Sequence, residues 1–252
     1  MAQMDEFRAE REAMKTAPFK KKLEYFWDYY KWPVIIAIVV FVFVGNYIHT
    51  IVTATDETLN GILLNTYSTD DVTTDIINEF AEEQNIDLSE YGITLNTTLA
   101  YSVDGSTAYS TSTGDTKQVI LANAGAGMLD FITADLTSMT DLAYASMFLD
   151  LREVLTAEQL EKYEPYFLYV DQAILDEIEE ANENYEDTSE IIIPDCSKPE
   201  EMENPIPVLI DMSQSKKLTS MYTYEVEGLS FGVAASLANS ETTLAFIDYL
   251  MN

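Results

Sequence analysis

Few side chains in this sequence are equipped for covalent or metal chemistry. His49 is its single histidine and Cys196 its single cysteine. A serine or cysteine nucleophile needs a neighbouring base, most often histidine. His49 lies in an apolar stretch, at what reads as headgroup level, so no Ser-His-Asp or Cys-His arrangement can be assembled elsewhere in the chain. Zinc sites built from histidine and cysteine are excluded for the same reason, and one cysteine closes no intramolecular disulfide. Carboxylates are the abundant reactive group, with 44 Asp and Glu against 13 Lys and Arg. A carboxylate pair can hydrolyse a glycoside, but at this density close pairs are inevitable, and the chain reads as non-catalytic. Calcium would find oxygen ligands at Asp104 or along Asp176–Glu190, which holds eight acids and no base; neither follows EF-hand spacing, and no metal or cofactor is expected. Gly125-x-Gly127 has Asp130 where a dinucleotide loop needs its third glycine, so it reads as a helix-closing turn.

The elements that would position any site begin with a run from Pro33 to Val52, PVIIAIVVFVFVGNYIHTIV. Twenty helical residues span ~30 Å, the thickness of a bilayer's hydrocarbon core. Lys20, Lys21, Lys22 and Lys31 precede it, with Trp27, Tyr30 and Trp32 at the same edge, where aromatic rings favour the headgroup level. The positive-inside rule then leaves residues 1–32 as a cytoplasmic juxtamembrane segment and sends everything after residue 52 outside. A cleaved signal peptide with its core at Val34–Val44 is the competing reading; it would need an unusually long charged leader and has only Ala54 as a weak cleavage site. The expected localisation is the cell membrane, single-pass, with the N-terminus cytoplasmic and the bilayer as a partner through residues 33–52.

Six acids and seven bases precede the apolar run, which leaves 38 acids and 6 bases beyond it. Phosphate contacts would be repulsive there, so nucleic acid is not a partner. Such a charge keeps a domain soluble and attracts cations or basic partners. The apolar content of 47% argues for a packed core rather than disorder.

Residues 53–60 read as a polar linker to a domain over 61–252. Gly61–Thr66 is a short apolar run expected as a buried strand, and Val72, Ile76, Ile77 and Phe80 give a helix over 70–84. Alternation predicts a strand over 93–101 and another at Leu129–Ala134, with a helix from Asp115 to Ala124 between them, closed by Gly125 or Gly127. Ser138 with Asp141, and Thr156 with Gln159, fit capping boxes, Pro165 ends the second of these helices, and Asp171 caps another. Strands at Pro207–Ile210 and Leu229–Ala234 and a terminal helix over 240–251 complete the pattern. This alternation points to an α/β domain with a largely parallel sheet, whose ligands would sit beyond the carboxyl ends of the strands. Tyr67, Asp135, Asp211 and Ser213 fall at such ends and are the candidate ligand-binding residues.

The order of motifs resembles that of the extracellular solute-binding proteins of ABC importers. A helix closing in ANAGAG precedes a strand ending in aspartate, LDFITAD; FLDLREVL follows the next helix; later come PVLIDMS and FGVAASLANSETTLAFIDYL. The stretch KKKLEYFWDYYKWPVI before the apolar run is similar to that of a group of uncharacterised single-pass membrane proteins of Gram-positive bacteria. The resemblance implies a periplasmic-binding-protein-like (type 2) domain, reduced in size, behind one transmembrane helix. Its implied function is a tethered module that binds or senses a small solute. The alternative is a cell-envelope interaction or scaffold domain on a degenerate solute-binding fold, with a membrane or envelope protein as partner.

Overall fold

The computed structural model describes Pro18, Lys20, Trp27, residues 31–45, 56–66, Ser68, 70–103 and 113–252. It divides into two compact units, Met1–Ala54 and Thr55–Asn252.

In the first unit residues 31–45 are helical. The helix has no polar face: Ile35, Ile36 and every residue from Ile38 to Val44 expose apolar side chains, with Phe41 80% and Phe43 76% exposed. A helix that is apolar all round belongs in an apolar surrounding. Among the described residues no helix is long and apolar enough to cross a membrane. Residues 46–52 of the expected span lie outside the described residues, as do Lys21, Lys22, Tyr30 and His49.

The second unit is built on one mixed six-stranded sheet. Its strands are β1 (Asp56–Leu63), β2 (Tyr91–Asn96), β3 (Phe131–Ala134), β4 (Phe167–Asp171), β5 (Pro205–Asp211) and β6 (Ser230–Val233), in the spatial order β2-β1-β3-β6-β5-β4. The helices of this unit are α1 (Asp70–Gln84), α2 (Thr113–Gly125), α3 (Leu136–Ala143), α4 (Leu151–Val154), α5 (Ala157–Tyr163), α6 (Gln172–Glu183), α7 (Lys216–Ser220) and α8 (Ser240–Met251).

The sheet is not largely parallel. β1 pairs parallel with β2 and with β3, but β6 runs antiparallel to β3 and to β5, and β4 antiparallel to β5. The connection from β5 to β6 explains the reversal. A parallel return needs a crossover of a dozen or more residues, usually a helix. The only helix there, α7, has five residues, ~7.5 Å long. The chain therefore stays at the end of the sheet where β5 finished, and Asp211 faces Ser230 in the antiparallel register.

Both faces of the sheet are covered. Leu59 and Leu63 of β1 point into one core with Phe80, Phe131, Phe231, Phe246 and Tyr249. Ile62 and Leu64 point into the other with Ile120, Ile132, Met139, Leu142 and Leu209. Burial on both sides is what makes β1 read as an apolar run rather than an alternating one. Gly61 lies opposite Phe131 in the register, and a Cβ there would meet the Phe131 ring at 2.0 Å. The vacancy lets Phe131 stack on Phe231 at 4.7 Å between centroids and pack 5.3 Å from Phe246.

Local signals in the sequence are well matched here. Thr156 and Gln159 form the capping box of α5, and the Asp171 carboxylate accepts from the Ala173 N–H at the start of α6. Gly127 has φ +66°, and the Met128 N–H donates to the Asn123 carbonyl while the Gly127 N–H donates to Ala124, a Schellman closure of α2. Other expectations change. β1 starts at Asp56, inside the expected linker, because Leu59 is fully buried and Asp56 already pairs with Tyr91. β2 is Tyr91–Asn96 rather than 93–101, since the chain turns at Asn96, whose side chain accepts from the Thr98 N–H. Ser138 does not cap α3. That helix starts two residues earlier, its cap is Asp135, and Asp141 instead receives the Tyr101 hydroxyl and, at 3.4 Å, Lys117. β4 was not expected; it takes the five residues Phe167–Asp171 and ends on the cap of α6 itself.

Candidate functional site

β1, β3 and β5 end, and β6 begins, at the same edge of the sheet. This is where a doubly wound sheet holds its ligand. Asp135 follows β3 and Asp211 closes β5, with β6 between them, so their backbones stand about two strand spacings apart, ~10 Å. The topology thus brings Asp135, Asp211 and Ser213 to one edge. Tyr67 lies outside the described residues.

The carboxylates there serve their own backbone. Asp135 Oδ1 accepts from the Ser138 N–H at 2.9 Å, and Oδ2 accepts from Ser138 Oγ at 2.7 Å and from Asn65 Nδ2 at 3.3 Å. Asp211 Oδ1 accepts from the Ser213 N–H at 2.8 Å in a turn that leaves Ser213 exposed. Neither carboxylate points its whole hydrogen-bonding capacity at an open space.

The chain's own segment 221–229 lies over this edge. Tyr222 is buried, and its hydroxyl is 2.8 Å from Thr133 Oγ1 inside the protein. Burial pushes the Tyr222 hydroxyl well above its ordinary value; the Thr133 bond works against that shift and the Asp135 charge adds to it. On one side the Thr223 N–H donates to the Thr66 carbonyl at 3.0 Å. On the other the Leu136 N–H meets the Glu227 carbonyl at 3.4 Å, and Gly228, at φ +63°, turns the chain tightly past the Leu136 side chain. A second latch closes the β1 side. Asn65, at φ 60°, accepts from the Tyr101 N–H at 2.9 Å and donates to the Tyr101 carbonyl at 2.8 Å. Thr66 Oγ1 donates to the Thr97 carbonyl at 3.0 Å. Backbone and side chains of this protein therefore cross the strand ends beside one face of the sheet.

Clefts lie beside this edge, at Leu136, and elsewhere on the unit. One of about 330 Å³ is lined by Arg152, Phe167, Tyr169, Pro205 and Pro207. One of about 470 Å³ runs past Leu136, Ile193 and Cys196, where burial pushes the thiol up and away from reactivity. A third, about 480 Å³, lies beside Asp248. There Asp248 accepts from the Tyr163 hydroxyl, from Lys162 Nζ at 3.1 Å and from Gln159 Nε2 at 2.7 Å. Burial raises the Asp248 carboxyl, but those three donors outweigh it and hold the group below the ordinary carboxylate range. Tyr163 is pushed up to about 12, first by burial and then by Asp248. This set has neither a base poised near neutrality nor a nucleophile, and it ties α5 to α8. A fourth cleft, of about 480 Å³, is lined by Thr73 and Thr74 of α1 and by residues Thr94 to Thr98 at the sheet edge. Among the described residues no group of three or more His, Cys, Asp or Glu is placed to hold a metal ion. Asp104 lies outside the described residues.

Sequence reasoning missed Asn65, Thr66, Thr133 and Tyr222. Asn65 carried a signal: asparagine tolerates a left-handed turn, and it follows the apolar run GILL directly. The Thr133–Tyr222 pair, 89 residues apart, carried none. Comparisons with protein-family models, with curated proteins and with solved structures return no match.

Proposed function

We propose that this chain is a membrane-tethered, extracytoplasmic, non-catalytic interaction domain that engages another protein of the cell envelope. The fold is a periplasmic-binding-protein-like domain of type 2 reduced to one sheet, and the solute site of that fold has been given up to packing. The observation that supports this reading is the Tyr222–Thr133 pair, buried beside the strand ends where a solute would be expected. The tether is the apolar helix over 31–45, continued in sequence to residue 52, with Lys20, Lys31, Trp27 and Trp32 on its cytoplasmic side.

The test uses the full chain in detergent and a melting screen against sugars, amino acids, nucleosides and divalent cations. A solute present at a hundred times its dissociation constant would stabilise the fold by about 2.7 kcal/mol. With ionic strength held equal across the panel, no member is expected to raise the melting temperature. A saturable rise that disappears in both Asp135→Ala and Asp211→Ala would overturn the reading in favour of solute binding.

A further inference from the structure

The two edges of the sheet are treated differently. At the β4 edge the Tyr169 N–H donates to the Cys196 carbonyl at 2.8 Å, so the segment around Cys196 covers the strand. At the other edge β2 pairs only with β1, and among the described residues no backbone group bonds to the outer side of Ile93–Asn96. Exposed edges are usually blunted by lysine or proline, or covered. β2 reads Tyr-Gly-Ile-Thr-Leu-Asn, contains neither, and is rich in strand-forming residues. Alongside it runs the cleft of about 480 Å³ lined by Thr73 and Thr74 of α1 and by Thr94, Leu95, Asn96, Thr97 and Thr98. An open strand edge beside a helix-walled cleft is the arrangement that takes up an added strand: the backbone supplies affinity and the cleft receives alternate side chains.

The charge around this edge selects the occupant. Between Lys31 and Lys117 the sequence has no Lys or Arg. Asp56, Glu57, Asp71, Asp75, Asp87 and Glu90, all exposed, lie on β1, on α1 or just before β2. Glu57 faces Gly92 in the β1–β2 register, and the Thr94 hydroxyl, two residues along β2, donates to it at 3.1 Å. A second copy of this chain would bring the same acids face to face, with a formal charge of −31 on each partner. We propose that the outer edge of β2 accepts an extended, lysine- or arginine-bearing segment of another protein as a seventh strand, its alternate side chains entering the α1–β2 cleft. This deepens the interaction-domain reading and rests on it.

The test places the full chain, one per disc, in phosphatidylcholine nanodiscs, so that the lipid itself offers a basic peptide no net charge. The probe is a short blocked peptide of alternating lysine and valine. It is compared with the same peptide carrying N-methyl groups on every second amide, and with a glutamate–valine peptide. Saturable binding is expected, with slowed amide exchange confined to β2 and its flanks. The methylated peptide, having lost one row of donors, should bind at least about tenfold more weakly. Thr94→Lys should weaken binding by a similar factor, whereas Glu179→Lys on α6 should leave it near the unaltered value. Equal weakening by both substitutions, equal binding of the methylated peptide, or no binding at all would overturn the proposal. So would protection of β2 that rises with protein concentration before any peptide is added, since that would make the occupant a second copy. None of these results touches the solute screen, so the edge can fail while the interaction-domain reading stands, and a solute hit can remove that reading without the peptide.

Discussion

Asp130 shows how much a single carboxylate can hold in place. It is 1% exposed, and its two oxygens take four donors. These are the Asn60 N–H at 2.8 Å, the Ala238 N–H at 3.0 Å, the Asn239 N–H at 2.9 Å and the Asn239 side-chain amide at 3.0 Å. It therefore joins β1 to the turn that starts α8. Each buried donor left without a partner costs about 1–3 kcal/mol. Asp130→Ala is expected to lower unfolding free energy in urea by at least about 3 kcal/mol, with Asp130→Asn falling between because its amide presents a donor to donors. A loss under about 1 kcal/mol would show that the turn reorganises freely. Asp171 makes a pH-dependent contribution. Burial pushes its carboxyl up, but the N–H groups of Glu203, Asn204 and Ala173 outweigh burial and hold it below the ordinary value. A folded-state pKa below the unfolded one, ~3.9, gives stabilisation that is full above that pH and lost as pH falls through the folded value. The stability gap between the unaltered protein and Asp171→Asn should thus narrow on acidification below about pH 4, read as urea midpoints against pH. The cap at Asp171 was legible because its first partner is two residues away; the hub at Asp130 was not, because its partners lie about 70 and 109 residues off.

Elements were legible where their signal is local and lost where it depends on neighbours. The apolar face of α1, the capping box of α5 and the glycine closure of α2 are written within one or two turns of chain. The order of strands is not. An alternation of strands and helices implies parallel crossovers, and what reverses β6 is the shortness of α7, which shows only once β5 and β6 are known to start and stop at one edge. Two of the proposed site residues, Asp135 and Asp211, stand at strand ends, yet periodicity says nothing about a loop 221–229 that returns to bond at Thr66 and Leu136. Gly61 tests the packing of the central strands. Substituting alanine forces a methyl group into the Phe131 ring, which has Phe231 stacked against it and no open side. Overpacking of this kind costs about 1–3 kcal/mol. Gly61→Ala should reach the upper end of that range in denaturant unfolding, and Gly61→Ala with Phe131→Leu should recover part of the loss. Additive losses in the double variant would show that the clash is relieved elsewhere.

The whole molecule is governed by its charge. Past the apolar run six bases face 38 acids, and Lys117, Arg152, Lys162 and Lys198 are already engaged with nearby carboxylates. Little positive charge remains to offset repulsion among the rest. Salt screens such repulsion over ~10 Å at 0.1 M. The melting temperature of the full chain should rise between ~0.01 and ~0.5 M sodium chloride, a trend opposite to that of a fold held by surface ion pairs. A fall would mean that the ion pairs outweigh the repulsion.

Both tryptophans, Trp27 and Trp32, belong to the unit Met1–Ala54, and none follows in the sequence. The folded unit carries tyrosine and phenylalanine alone, with Tyr101, Tyr163 and Tyr249 fully buried. The protein is thus its own two-channel optical reporter. Emission excited at the red edge of the indole band comes from the unit Met1–Ala54 alone. The near-ultraviolet dichroism of the tyrosines follows the sheet. Unfolding of the sheet and changes around residues 27 and 32 can be followed in one sample, with no label added.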